Sequence, residues 1–91
     1  MKNFIIVATF KDGITPDDIR ALIPAEQAQA KVLKEVGSLG FIQVAMPRRT
    51  VFIEVFAETE EDASKIVHTL PFMEIWNIEV FETAPPAGDK F

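Results

Sequence analysis

The chain has 91 residues with 9 Lys and Arg against 14 Asp and Glu, enough for one domain and a net charge of -5. That balance argues against nucleic acid and anionic membrane surfaces as partners, because only Arg48 and Arg49 stand together as a basic pair. The absence of cysteine rules out disulfides, thiolate catalysis and cysteine-ligated metals, and fits a reducing, cytoplasmic setting.

Residues 3–11 are rich in β-branched and aromatic side chains, stop at Asp12-Gly13, and predict a first strand rather than a signal peptide. Thr15-Pro16-Asp17-Asp18 then opens a helical segment, with a capping hydroxyl, a proline suited to the first turn and two acids at the positive dipole end. Pro24 interrupts the pattern. The expectation is therefore a short turn over 16–23 and a main helix from Pro24 to Val36, ended by Gly37. On a wheel of about 100° per residue, Ala25, Ala28, Val32 and Val36 form its apolar stripe. Gln29 falls inside that stripe and Glu26 at its border. A buried amide needs partners and a half-buried carboxylate tends to a raised pKa, so both are site candidates. The alternative is structural: Gln29 bonded to the sheet edge, and Glu26 favoured by the first helical turn.

Residues 39–46 predict a second strand, and Pro47-Arg48-Arg49 a hairpin turn into a third, Thr50 to Thr59. This third strand alternates Val51, Ile53, Val55 and Ala57 with Phe52, Glu54 and Phe56. Both faces are too apolar to meet water, so each needs cover. Thr59-Glu60-Glu61-Asp62 starts a second helix, with Ala63, Ile66, Val67 and Leu70 at helical spacing before Pro71. His68 lies opposite that stripe, towards solvent. Residues 74–82 predict a fourth strand, which puts Trp76 in the core and Asn77 on the opposite face. The domain spans 1–83, and residues 84–91 read as a tail without periodicity that suits either disorder or a neighbouring subunit.

The order βαββαβ implies a ferredoxin-like α+β fold, a four-stranded antiparallel sheet with both helices on one face. Collecting alternate residues gives a helix-facing layer of Ile5, Val7, Ile42, Val44, Val51, Ile53, Val55, Ile78 and Val80. The other face gathers Ile6, Phe10, Phe41, Gln43, Phe52, Glu54, Phe56, Asn77, Glu79 and Phe81. So many rings on one open face predict a covering second copy, a homodimer whose sheets form an α/β barrel.

Glu26-Gln27-Ala28 and the run from Leu70-Pro71 to Ile78-Glu79-Val80 resemble the muconolactone isomerase type of dimeric α/β-barrel proteins. The resemblance covers most of the chain in element order and length. It implies a ferredoxin-like dimer, sometimes built into rings, and proton transfer on an unsaturated lactone without metal or organic cofactor.

Proton transfer beside a carbonyl needs a base and a donor for the developing enolate oxygen. Glu54, between Phe52 and Phe56, is the expected general base, and Glu26 or Glu79 the second acid or base. Gln43, Asn77 and Gln29 are candidate substrate orienters, Phe52 and Phe56 apolar walls, and Arg49 a fork for the carboxylate of a small organic acid or lactone. A lone histidine makes a metal site unexpected. The rival expectations are a non-catalytic metabolite-binding or structural dimer, and a cofactor-free monooxygenase.

Overall fold

The computed structural model describes residues 1–85, so most of the tail read at 84–91 lies outside the described residues. Strands β1 (Lys2–Phe10), β2 (Leu39–Ala45), β3 (Thr50–Ala57) and β4 (Trp76–Thr83) form one sheet in the order β2-β3-β1-β4, every pair antiparallel. Helices α1 (Pro16–Glu35) and α2 (Glu60–His68) pack on one face of it, Leu33, Ala63 and Val67 joining the same core as Phe4, Ile6, Ile53 and Val55. This is the ferredoxin-like α+β fold.

The helix starts behave as their sequences dictate. Thr15 Oγ1 accepts from the Asp18 amide (3.2 Å) while the Asp18 carboxylate accepts from the Thr15 amide (2.9 Å), a complete capping box. Thr59 accepts from the Asp62 amide in the same way at α2. Gly37, at φ 79°, ends α1 as expected: its amide bonds Lys34 O and the Ser38 amide bonds Leu33 O, the paired bonds of a Schellman stop.

Two expectations are corrected. The first helix is not a short turn followed by a main helix from Pro24: α1 runs unbroken through Pro24. Pro24 removes one backbone bond, but it lies on the solvent side, and Ile19, Leu22, Ile23, Glu26, Ala30 and Leu33 recur every three or four residues across it. Burial of that longer stripe holds both halves in one helix. It also turns the helix relative to the wheel drawn from Pro24 onwards. Ala25 and Ala28 face solvent, Val32 and Val36 are 50% and 66% exposed, and Glu26 sits at the centre of the buried stripe instead of its border.

The second correction concerns β1. Ile6 pairs with Ile53 and Phe4 with Val55, so Phe4, Ile6, Ala8 and Phe10 face the helices, while Ile5 and Val7 lie on the open face. Both parities of this strand are apolar, so alternation alone could not choose between them. The remaining faces follow the sequence reading. Trp76 is buried beneath the helices, and the strand is preceded by a short 3₁₀ segment, Pro71–Ile75. No helix among the described residues is long and apolar enough to cross a membrane.

Candidate functional site

The sheet divides the expected site residues into two groups. On the open face, the register sets Ile5 between Glu54 and Phe81, and Val7 between Phe52 and Glu79; Thr9 lies beside Asn77, and Gln43 beside Phe52. Since β1 separates their strands, the Glu54 and Glu79 Cα atoms stand on the order of 10 Å apart at the usual strand spacing, too far for a carboxylate pair within one chain. Gln43, Asn77 and Glu79 are exposed, and Phe56 is half-buried.

Glu54 has a built environment. Between the pairs Leu39–Val55 and Ile42–Ile53 the register slips, so Gly40 and Phe41 together oppose Glu54 in a β-bulge. Its carboxylate accepts from Asn3 Nδ2 (3.0 Å) and, weakly, from the Phe41 amide (3.4 Å). A side chain at position 40 would meet it: a Cβ there would come within 2.8 Å of Glu54 Cδ. The bulge and its glycine therefore make the room that Glu54 occupies.

On the helix side, α1 arches over the sheet and leaves a cavity of about 270 Å³. Ile19, Ile23, Glu26 and Ala30 line it from the helix, Phe10, Ile42, Val44, Val51 and Trp76 from the sheet, and Met46 and Phe72 at its ends. Its walls are almost wholly apolar: Glu26 and Gln27 are the polar residues among them, and very little of their polar surface faces inward. Glu26 is 8% exposed, the one buried charged side chain among the described residues. Loss of hydration pushes its pKa up, partly opposed by the Phe72 amide, which donates to Oε1 at 2.9 Å.

Trp76 is 3% exposed, held edge-on by the rings of Phe72 (5.3 Å between centroids) and Phe10 (6.4 Å). Its Nε1–H is buried without an acceptor among the described residues. A buried donor left in that state costs on the order of 1–3 kcal/mol.

Gln29 is not in the cavity. It lies at the helix border and its Nε2 donates to Thr69 Oγ1 (2.9 Å), joining α1 to the end of α2 rather than to a sheet edge. Arg49 closes the β2–β3 hairpin at φ 49° and lines a hollow of about 190 Å³ whose walls Phe10, Ile19 and Met46 also border the Glu26 cavity. Neither Arg48 nor Arg49 forms an ion pair with a described residue. His68 is exposed, its Nδ1 against Ser64 O of its own helix.

Of the expected site residues, then, only Glu26 and Arg49 border the helix-side space; Glu54, Glu79, Gln43, Asn77, Phe52 and Phe56 share the opposite face. Trp76, Phe10, Met46 and Phe72 line the cavity although the sequence reading named none of them for a site: it took Trp76 as core, Phe10 as part of the open face and Met46 as the end of the second strand, and gave Phe72 no role. The sequence carries a signal for the helix wall alone, the stripe Ile19-Ile23-Glu26-Ala30, visible once the helix is read through Pro24. Compared with models of protein families and with curated proteins, the chain matches none.

Proposed function

We propose that this protein binds a small lactone or unsaturated organic acid in the cavity under α1 and moves a proton on it, working as a homodimer without metal or organic cofactor. The observation that carries this reading is Glu26: a carboxylate of raised pKa set into an otherwise apolar cavity of about 270 Å³. A base stripped of water and brought towards neutrality suits abstraction of a proton beside a carbonyl.

In the proposed step the Glu26 carboxylate takes a proton from the carbon next to the substrate carbonyl. The C–H electron pair becomes a new C=C bond and the carbonyl π pair moves onto oxygen. Return of that proton from Glu26 to the far carbon of the extended enolate restores C=O and leaves the double bond conjugated. Arg49, in the adjoining hollow, is the group that would take a substrate carboxylate. Homodimerisation is supported by the open sheet face, where Phe41, Phe52 and Phe81 are 40%, 37% and 48% exposed beside Ile5 and Val7.

The test is conversion of a β,γ-unsaturated γ-lactone to its conjugated isomer, followed by absorbance; in heavy water, carry-over of the same proton by Glu26 should leave the product with less than one deuterium. Wild type should accelerate it, and Glu26→Gln should lose roughly 100-fold or more of that rate. Equal turnover by Glu26→Gln would remove Glu26 from the chemistry. A second reading, a non-catalytic metabolite-binding dimer, draws on the Glu26–Phe72 bond, which also serves to fasten α1 to the loop before β4. It predicts lactone binding with no isomerisation.

A further inference from the structure

We propose that the cavity under α1 and the hollow beside Arg49 form one site for a monocarboxylate with a hydrocarbon body, the body lying under α1 and the carboxylate at the Arg49 guanidinium. The inference rests on the reading of that cavity as a small-molecule site and narrows its occupant to one anionic end and no second polar group along the part that enters.

The two spaces, about 270 Å³ and 190 Å³, share Phe10, Ile19 and Met46 as walls and are both partly open, so an extended molecule can lie along those three side chains with one end in each. The larger space is lined almost wholly by hydrocarbon. An occupant gains there by burying apolar surface and loses wherever it brings a polar group inside. The smaller space has Arg49 at its wall. Arg49 Nη2 makes one long bond, to Lys11 O at 3.4 Å, and the side chain has no ion pair among the described residues, which leaves most of its N–H donors for a carboxylate. The surrounding charge agrees. In a chain of net charge -5, Lys11, Arg48 and Arg49 gather where the end of β1 meets the hairpin, the Phe10 amide donating to Arg49 O at 3.3 Å, and none of the three pairs with an acid among the described residues. Of the acids nearby in sequence, Asp17 pairs with Arg20, Asp18 is bound in the Thr15 cap, and Asp12 pairs with none of the three cations. Glu26 lines only the larger space, so an anion held at Arg49 is kept apart from that carboxylate.

Octanoate, 1-octanol and octanedioate have chains of equal length and differ only at their ends. Each is titrated into ¹³C-methyl-labelled protein, and binding is read from the methyl signals of Ile23, Ala30 and Val51, which line the larger space. Octanoate and octanol should both shift these methyls. Octanedioate should bind about tenfold or more weakly than octanoate, because its second carboxylate would have to enter the apolar space. Arg49→Gln, a change at an exposed side chain, should weaken octanoate about fivefold and leave octanol as it was, and the loss should fade at high salt. No loss of octanoate, or an equal loss of octanol, overturns the assignment of the carboxylate to Arg49 and leaves the small-molecule site standing. Octanedioate binding as tightly as octanoate overturns the hydrocarbon body. Absence of any wall shift with all three overturns the cavity reading, and this proposal with it. The wild-type comparison of octanoate with octanedioate decides the matter even if Arg49→Gln does not fold.

Discussion

The Phe72 backbone amide donates to the buried Glu26 carboxylate across 2.9 Å, tying the middle of α1 to the 3₁₀ segment that feeds β4. That bond satisfies only part of a carboxylate's hydration, so burial still raises the Glu26 pKa. The folded state therefore holds this proton more tightly than the unfolded chain. Below the ordinary carboxylate range both states are protonated and Glu26 carries no penalty. As pH rises from the ordinary value through the raised one, the unfolded chain ionises first and stability falls. Glu26→Gln keeps an acceptor for Phe72 but cannot ionise. Urea unfolding should find it level with wild type at about pH 4 and more stable at about pH 7; a gap that shrinks with rising pH would mean that the folded state does not hold the Glu26 proton more tightly than the unfolded chain.

The bulge opposite Glu54 makes a second prediction. Gly40→Ala sets a methyl against the Glu54 carboxyl group, the far end of a flexible, half-buried side chain, so Glu54 should swing aside and give up its bond from Asn3, and the fold should lose no more than about 1 kcal/mol. In the background of Glu54→Ala the same change should cost much less. A double-mutant cycle measured by denaturant unfolding reads the coupling, and additive losses would mean that Gly40 is needed for some other reason.

Continuity of α1 through Pro24 leads to a third. The proline forgoes one helical bond on the exposed side, so Pro24→Ala should stabilise the protein by up to about 3 kcal/mol, reduced by the greater entropy of its unfolded chain. Thermal unfolding checks it. A destabilised variant would show that the helix needs a bend at this position.

A fourth prediction follows from the proposed homodimer. Light scattering at micromolar concentration should give twice the chain mass of 10.2 kDa, and Phe52→Glu, at an exposed position central to the open face, should yield monomer with the fold intact by circular dichroism. A wild-type monomer would sink the dimer and leave the open face unexplained.

The order of elements, the two threonine-capped helix starts, the Gly37 stop and the two faces of β3 were legible in the sequence, because each depends on residues close together in the chain. Thr15 with Asp18 and Thr59 with Asp62 are local hydrogen-bonding units, and Val51/Ile53/Val55 against Phe52/Glu54/Phe56 is a period-two pattern with visibly different sides. Tertiary structure decided what local pattern leaves degenerate. In β1 both parities are apolar, and only pairing with β3 chose Phe4, Ile6 and Ala8 for the core. In α1 the loss of one bond at Pro24 competed with burial of a stripe on both sides of it, and burial prevailed, rotating Glu26 inward. The cavity was beyond sequence altogether. Its volume is the space left between a helix and a sheet, and two of its lining residues, Glu26 and Trp76, are 50 positions apart by number, brought to the same walls by packing that no local pattern encodes.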